Sequence, residues 1–286
     1  MHRSIAAIIG DLAERSGFPL TRQHLLGNRR LWALATAAIA ALLLMFWRRA
    51  AGPPGVGPVW TRIESSGEMR ICLDPSFPPF ESTDPNTESL VGFDIDLSEE
   101  LARRLGVSAS FVPVGFDGLY DALMANACDL VLSAFPYDPR QTEDFVFSVA
   151  YFNAGQVLVV PVAGEEAGSL ADLAGQVVAV EWGSDGDVTV RRWGQRIPLT
   201  PYPAETPAEA LQAVADEGAR AAVVDAISAY TFVRQHPSLA VSATVTEDNY
   251  VAVMRPDAYT FVGYVNGVLM DMREDSFLER LHARWF

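Results

Sequence analysis

The octapeptide Asp74-Pro-Ser-Phe-Pro-Pro-Phe-Glu81 carries a carboxylate and two phenyl rings on a loop rich in proline. Prolines hold the backbone near one torsion and stiffen such a loop before any ligand arrives. The apolar run Met69-Arg-Ile-Cys-Leu73 just before it predicts a strand, so Asp74 falls at a strand's C-terminal end. Two rings and an acid there make a platform for a small ligand. A surface turn with two core phenylalanines is the alternative, because apolar residues usually just pack. Other chemistries find no pattern. His2, His24, His236 and His282 are scattered, so no metal cluster is indicated. There is no GxSxG, P-loop or GxGxxG, and no cofactor is implied. Asp185-Gly-Asp187 lacks the other oxygen ligands of a calcium loop and reads as a helix N-terminus, where acids are favoured.

The elements around this loop alternate. The pattern predicts a strand over 69–73 and a helix over 94–105, with Ile95, Leu97, Leu101 and Leu105 at helical spacing and Gly106 as its stop. A strand over 108–114, a helix near 118–125 and a strand over 129–133 follow. A β-prone run lies between 150 and 161. A second set then begins: helix 169–174, strand 176–182, helix 185–194, strand 198–202, helix 207–217, strand 220–225 and helix 226–235. Another β-prone run, 249–254, precedes closing helices over 257–273 and 275–284. Such alternation indicates mainly parallel sheets covered by helices. Two α/β sets joined by two extended crossings predict two lobes, a cleft between them, and hinge strands that allow closure over a ligand.

The 286 residues suit two compact units, and with 50% hydrophobic residues a sizeable core is expected. All 21 basic residues are Arg. Residues 1–49 hold seven Arg against Asp11 and Glu14, while the rest of the chain is strongly acidic and brings the net charge to −15. An acidic domain argues against nucleic acid, which needs a basic footprint, and against adhesion to anionic lipid. Residues 31–47, LWALATAAIAALLLMFW, form an uncharged run between Arg29-Arg30 and Arg48-Arg49, with Trp32 and Trp47 near its ends. Its length approaches that needed to span a bilayer, and the aromatics sit where interfacial residues belong. No small-x-small cleavage site follows it, so an uncleaved single-pass anchor is preferred to a cleaved signal peptide that would leave the protein secreted or periplasmic. Residues 1–30 form a cytoplasmic tail, 48–60 a Gly/Pro linker, and the acidic domain lies outside. Cys72 and Cys128 are too few for a disulfide scaffold. Reduced, buried thiols are the preferred reading, with a bridge open if their strands are neighbours.

From about residue 60 to 286 the chain resembles the family 3 extracellular solute-binding proteins, which serve ABC importers of polar amino acids. The resemblance rests on ordered motifs: Gly67-Glu-Met-Arg-Ile-Cys-Leu-Asp-Pro-Ser-Phe-Pro-Pro-Phe-Glu81, Val91-Gly-Phe-Asp-Ile-Asp-Leu97, Phe116-Asp-Gly-Leu119, Asp129-Leu-Val-Leu-Ser133 and Phe147-Ser148. Ser169-Leu-Ala-Asp-Leu-Ala-Gly175, Val178-Ala-Val-Glu-Trp-Gly-Ser184 and Ala221-Ala-Val-Val-Asp225 continue the series. It implies an α/β, two-lobe type II periplasmic-binding-protein fold, with residues 61–154 and 252–286 in lobe 1 and 155–251 in lobe 2. It also implies that Asp74, Phe77, Phe80 and Phe116 face the ligand. The segment Ser133, Ala134 and Phe135 would accept the ligand's ammonium group through its backbone. Across the cleft, Gly183 and Ser184 at a helix start would hold a carboxylate. Asp225 would pair with the α-amino group, and Glu181 would contact the ligand's side chain. With Asp74 and Asp185 these acids would favour an amine-bearing ligand.

One departure stands out. The family's carboxylate clamp, a hydroxyl residue and an Arg five positions later, falls here on Pro136 and Gln141, with Arg140 one position early. Either the loop shifts register and Arg140 clamps, or the clamp is weakened, because Gln cannot reproduce a guanidinium fork. The implied function is capture of an amino acid or related amine for an ABC permease, with no catalysis. A sensor ectodomain and a dehydratase-like enzyme on the same fold are the alternatives.

Overall fold

The computed structural model describes residues 57–163 and 167–286. The expected tail, apolar anchor and most of the linker lie outside the described residues. Among those described, no helix is long and apolar enough to cross a membrane. Helix α1 (Pro58–Ser66) opens the described chain. Pro58 sits in its first turn, where a missing N–H costs nothing, and Val59 and Ile63 bury one face. The linker expected to reach residue 60 therefore gives way to helix at Pro58. Gly67, at φ 70°, ends the helix with its N–H on the Ile63 carbonyl.

Strands β1 (Glu68–Leu73), β2 (Ser76–Phe77), β3 (Glu81–Thr83) and β4 (Leu90–Val91) lead to helix α2 (Phe93–Leu105). Strand β5 (Ser108–Pro113), helix α3 (Leu119–Met124), and strands β6 (Leu130–Val131) and β7 (Val146–Phe147) complete the first set. Strand β8 (Phe152–Asn153) crosses to β9 (Gln156–Pro161) and β10 (Val177–Glu181). Helix α4 (Asp185–Gly194), β11 (Thr200–Ala204), helix α5 (Pro207–Ala215), β12 (Ala221–Asp225), helix α6 (Ala226–Val233) and β13 (Leu239–Thr244) follow. The chain returns through β14 (Asn249–Tyr250) to β15 (Val253–Met254) and ends in helices α7 (Tyr259–Glu274) and α8 (Phe277–Trp285).

Two five-stranded sheets result, ordered β5-β1-β6-β15-β7 and β11-β10-β12-β9-β13. β1 lies parallel to β5 and β6, and β10 parallel to β11 and β12. The sheets are mixed because the strands that follow each crossing, β9 and β15, enter antiparallel to their neighbours. β13 escaped the sequence pattern. It is an edge strand on β9 with a register shift between Val241 and Ala243, which blurs its alternation. The expected helix over 169–174 is a single 3₁₀ turn, Leu170–Leu173.

The two crossings pair with each other. Asn153 lies opposite Asn249 and Phe152 opposite Tyr250 in the antiparallel β8–β14 ribbon. Just beyond it the Thr246 carbonyl packs so closely on Gly155 that no Cβ would fit there. Each sheet has its own core. The first sheet's core centres on Phe80, Phe93, Phe261 and Met272, and α7 and α8 close over it. Cys72, within β1, and Cys128, just before β6, form a disulfide with Cα atoms 5.6 Å apart. The reduced thiols preferred from sequence are thus corrected. β1 and β6 are adjacent strands, so the two side chains meet, and a persistent bridge belongs to an oxidising compartment.

Candidate functional site

On the first lobe, β1 ends at Leu73 and delivers Asp74 to the rim. Asp74 is bound at both ends: its N–H donates to Ser133 Oγ at 3.0 Å, and its Oδ2 accepts from the Phe116 N–H at 2.9 Å. Phe77 is 43% exposed and stacks on Phe80 with ring centres 5.7 Å apart. Phe80, expected to face a ligand, is instead fully buried, edge-on to Phe93, Phe152 and Tyr250. The loop's turn sends one ring outward and the next into the core, so Phe80 backs Phe77. Phe116 is exposed and stacks on buried Phe135 at 5.2 Å in the same way.

Ser133 and Ala134 are buried. The Ser133 hydroxyl donates to Glu81 Oε1 at 2.6 Å, so it is engaged inside the protein. Ala134 has φ 43°, a left-handed conformation unfavourable for alanine, and its N–H donates to Asp94 Oδ2 at 2.6 Å. The Phe135 carbonyl accepts from the Val251 N–H. Arg140 lies in a 3₁₀ turn, Pro139–Gln141, and forks onto Asp138 of the same turn at 2.9 Å. Its side chain is 86% exposed. Arg140 is therefore a surface residue in this structure, held by its own N-cap acid.

On the second lobe, α4 starts as expected at Asp185, capped by Ser184. The Ser184 hydroxyl accepts from the Asp187 N–H at 3.2 Å and donates to the Glu181 carbonyl at 2.7 Å. The Gly183 N–H donates to Asp187 Oδ2 at 3.1 Å. The anion position expected to hold a ligand's carboxylate is thus partly taken by the protein's own buried Asp187, which Arg191 pairs at 2.6 Å. A helix N-terminus satisfies whichever carboxylate is nearest. Asp225 caps α6 through the Ser228 N–H at 2.8 Å and keeps its other oxygen free of any side-chain or N–H partner among the described residues.

A polar cavity of about 660 Å³ lies between these helix starts and the hinge strands. Asp185, Arg192, Asp225, Gln156, Thr246 and Tyr250 are among its walls. Of the expected residues it brings together only Asp185 and Asp225. Glu181, Gly183 and Ser184 lie outside it, and the first-lobe rings and Asp74 stand apart from it. Gln156 Oε1 is buried there without a partner among the described residues. Burial pushes the Tyr250 hydroxyl up to about 12, helped by the charges of Asp248, Asp94, Asp225 and Glu81.

Arg192 was not expected. It lies seven residues after Asp185, on the same face of α4, so helical periodicity carried the signal. Glu81 and Asp94 were quoted only as parts of motifs. Their signal was an acid set inside an apolar run, Phe80-Glu81 and Phe93-Asp94-Ile95.

A profile of the bacterial extracellular solute-binding proteins, family 3, matches residues 69–286. The L-cystine-binding protein TcyJ of Escherichia coli K12 is 26% identical over 229 residues, covering 79% of this chain and 85% of that protein. The solved structure of an ancestral cyclohexadienyl dehydratase is 26% identical, covers 82% of this chain and 98% of that one, and superposes with a TM-score of 0.72. An ancestral cationic amino acid solute-binding protein is 30% identical, covers 79% and 98%, and has a TM-score of 0.55. With two α/β lobes, a paired hinge and a profile match over most of its length, this chain belongs to the bacterial extracellular solute-binding proteins, family 3.

Proposed function

We propose that this protein captures an amino acid or a related amine outside the cytoplasm and delivers it to an ABC-type permease, with residues 31–47 tethering it to the membrane. One observation carries the reading: the hinge cavity sets the cation Arg192 and the acid Asp225 around one space of about 660 Å³. An α-amino acid presents a carboxylate and an ammonium group, and that pair of protein charges complements it. Arg192, rather than Arg140, is assigned the carboxylate, and Asp225 the ammonium. Closure about the β8–β14 ribbon would bring Phe77, Phe116 and Asp74 over the ligand as the lid of this space. It would be driven by contacts that exist only in the closed state. The surplus of acids, Asp185, Asp225, Glu247 and Asp248, favours a ligand with a second amine.

A thermal-shift screen of the full-length chain against amino acids, amines and small carboxylates tests this. A ligand at 100 times its dissociation constant should add about 2.7 kcal/mol of stability. Silence from every amino acid and amine would sink the assignment. The likeness to an ancestral cyclohexadienyl dehydratase favours a second reading, elimination from a cyclic acid. Incubation with such acids and analysis for the eliminated product separates the two, since a receptor binds without turnover.

A further inference from the structure

Beneath the first-lobe platform lies a pair of acids that ligand capture, as proposed above, does not use. Glu81 on β3 is 1% exposed and Asp94 in the first turn of α2 is fully buried. The two carboxyls interact directly, and they hold consecutive residues of one turn, Ser133 and Ala134. Glu81 Oε1 accepts from the Ser133 hydroxyl, while Asp94 Oδ2 accepts from the Ala134 N–H at 2.6 Å and the Tyr151 hydroxyl at 3.0 Å. The other two oxygens, Glu81 Oε2 and Asp94 Oδ1, are buried and meet no N–H or O–H donor among the described residues. Two carboxylates in contact offer only acceptors. A single proton between them satisfies both orphan oxygens at once.

We propose that Glu81 and Asp94 are positioning residues for ligand capture, which share one proton and through it hold the segment Ser133–Phe135 beneath the platform, and Asp74 above it, in place. Glu81 carries the proton and donates it to Asp94 Oδ1; Asp94 remains the anion. From that anion the order passes outward. Asp94 fixes the Ala134 N–H and with it the left-handed turn at φ 43°. Glu81 fixes the Ser133 hydroxyl, which fixes the Asp74 N–H, and the Asp74 carboxylate fixes the Phe116 backbone. Three separate loops of the platform thus hang on one buried proton. Gly92 is part of the device: at φ 147° it passes so close to the Phe80 carbonyl that no Cβ would fit, which lets α2 begin against Glu81.

The groups facing the pair agree with this assignment. Burial first, and then the charge of Asp94, push the Glu81 carboxyl far above the usual carboxylate range. Burial also raises Asp94, but the Ala134 N–H, Glu81 and Tyr151 hydrogen bonds oppose it. Asp94 receives two donors, the Ala134 N–H and the Tyr151 hydroxyl, against the single Ser133 hydroxyl on Glu81, which assigns the proton to Glu81. Asp74 adds a further charge on Glu81, and the hydroxyls of Tyr151 and Tyr250 are both pushed up, so neither ionises in competition. No cationic side chain bonds either acid among the described residues. The folded protein binds this proton more tightly than the unfolded chain does. The pair's contribution is therefore complete below the ordinary carboxylate range, declines as pH rises above that range, and is gone once pH passes the raised folded value in the alkaline range.

The inference rests on the cleft being the ligand site, and the test separates the two. Full-length wild type, E81Q and E81A are compared by the infrared carbonyl band of a protonated carboxyl, by melting temperature against pH, and by calorimetry with L-arginine and L-cystine as probes. The expected result is a protonated-carboxyl band at neutral pH in wild type that is gone in E81Q, and a wild-type melting temperature that falls between about pH 5 and pH 9 where E81Q stays flat. E81A loses at least about tenfold in probe affinity at neutral pH, and E81Q recovers most of it, because its amide N–H replaces the proton. Absence of the band in wild type overturns the shared proton, and that measurement needs no variant to fold. Equal losses in E81Q and E81A, or parallel pH profiles in wild type and E81Q, overturn the positioning role. If neither probe binds wild type, the ligand reading fails, and the band with the pH profile decides the pair by itself.

Discussion

The two walls of this cleft are built by different means. On the first lobe Asp74, Ser133, Ala134 and Phe116 are joined by hydrogen bonds that run from buried Glu81 and Asp94 out to the exposed rim, and both exposed rings rest on buried ones. On the second lobe, the polar groups answer to their own helix starts: Ser184 caps α4, Asp187 fills the Gly183 amide, and Asp225 caps α6. The first wall is fixed by long-range contacts. The second is assembled locally and leaves Arg192, Asp225 and Gln156 around a polar cavity. A receptor that closes on its ligand gains from this division, since one rigid face sets shape and one adaptable face sets charge.

Phe80→Ala should break the first wall most severely. It empties a fully buried site and should cost about 3–5 kcal/mol in denaturant unfolding. Phe77→Ala, one ring further out, should change stability far less and weaken ligand binding instead. A Phe77→Ala variant as unstable as Phe80→Ala would erase the distinction between platform and support. Reduction of Cys72–Cys128 removes a link across 56 residues and should cost about 2–4 kcal/mol, read as a lower denaturation midpoint with reductant. Because the bridge lies in the first lobe, amide exchange should rise there and not in the β10–β12 strands. On the second wall, Asp225→Ala and Ser184→Ala should each cost only about 1 kcal/mol, the loss of one helix cap. Asp225→Ala should also abolish detectable binding of an amine-bearing ligand in calorimetry, whereas Ser184→Ala should leave most of it. Arg140→Ala should change neither melting nor affinity, while Arg192→Ala weakens binding of any carboxylate-bearing ligand. The reverse order would place the clamp back on the first lobe.

Much of the fold was legible because its signals are local. Helical spacing of Ile95, Leu97 and Leu101, and glycine stops such as Gly106, depend only on near neighbours. β13 was not legible, since an edge strand with a bulge keeps no clean alternation. In the site, Asp185 and Asp225 could be placed because each begins a helix at the end of a strand. Phe80 could not be told from Phe77, as only the packing of Phe93, Phe152 and Tyr250 separates their roles. Arg140 is one position from the family's clamp in sequence, but sequence distance could not show that Asp138, two residues away, pairs with it on the surface.

The amino-acid sequence by itself determined most of the alternating elements, the two crossings that make two lobes, the family, and the acidic character of the chain beyond residue 49. These follow from periodicity, turn residues and charge, which need no knowledge of distant contacts. Only the tertiary structure decided that Cys72 meets Cys128, that Asp187 occupies its own helix start, and that Glu81 and Asp94 are both buried beneath the platform on the Ser133–Ala134 turn. Each of these joins residues on different elements, or chooses among several acids at equal sequence distance. Burial and hydrogen-bond geometry in the folded chain make that choice.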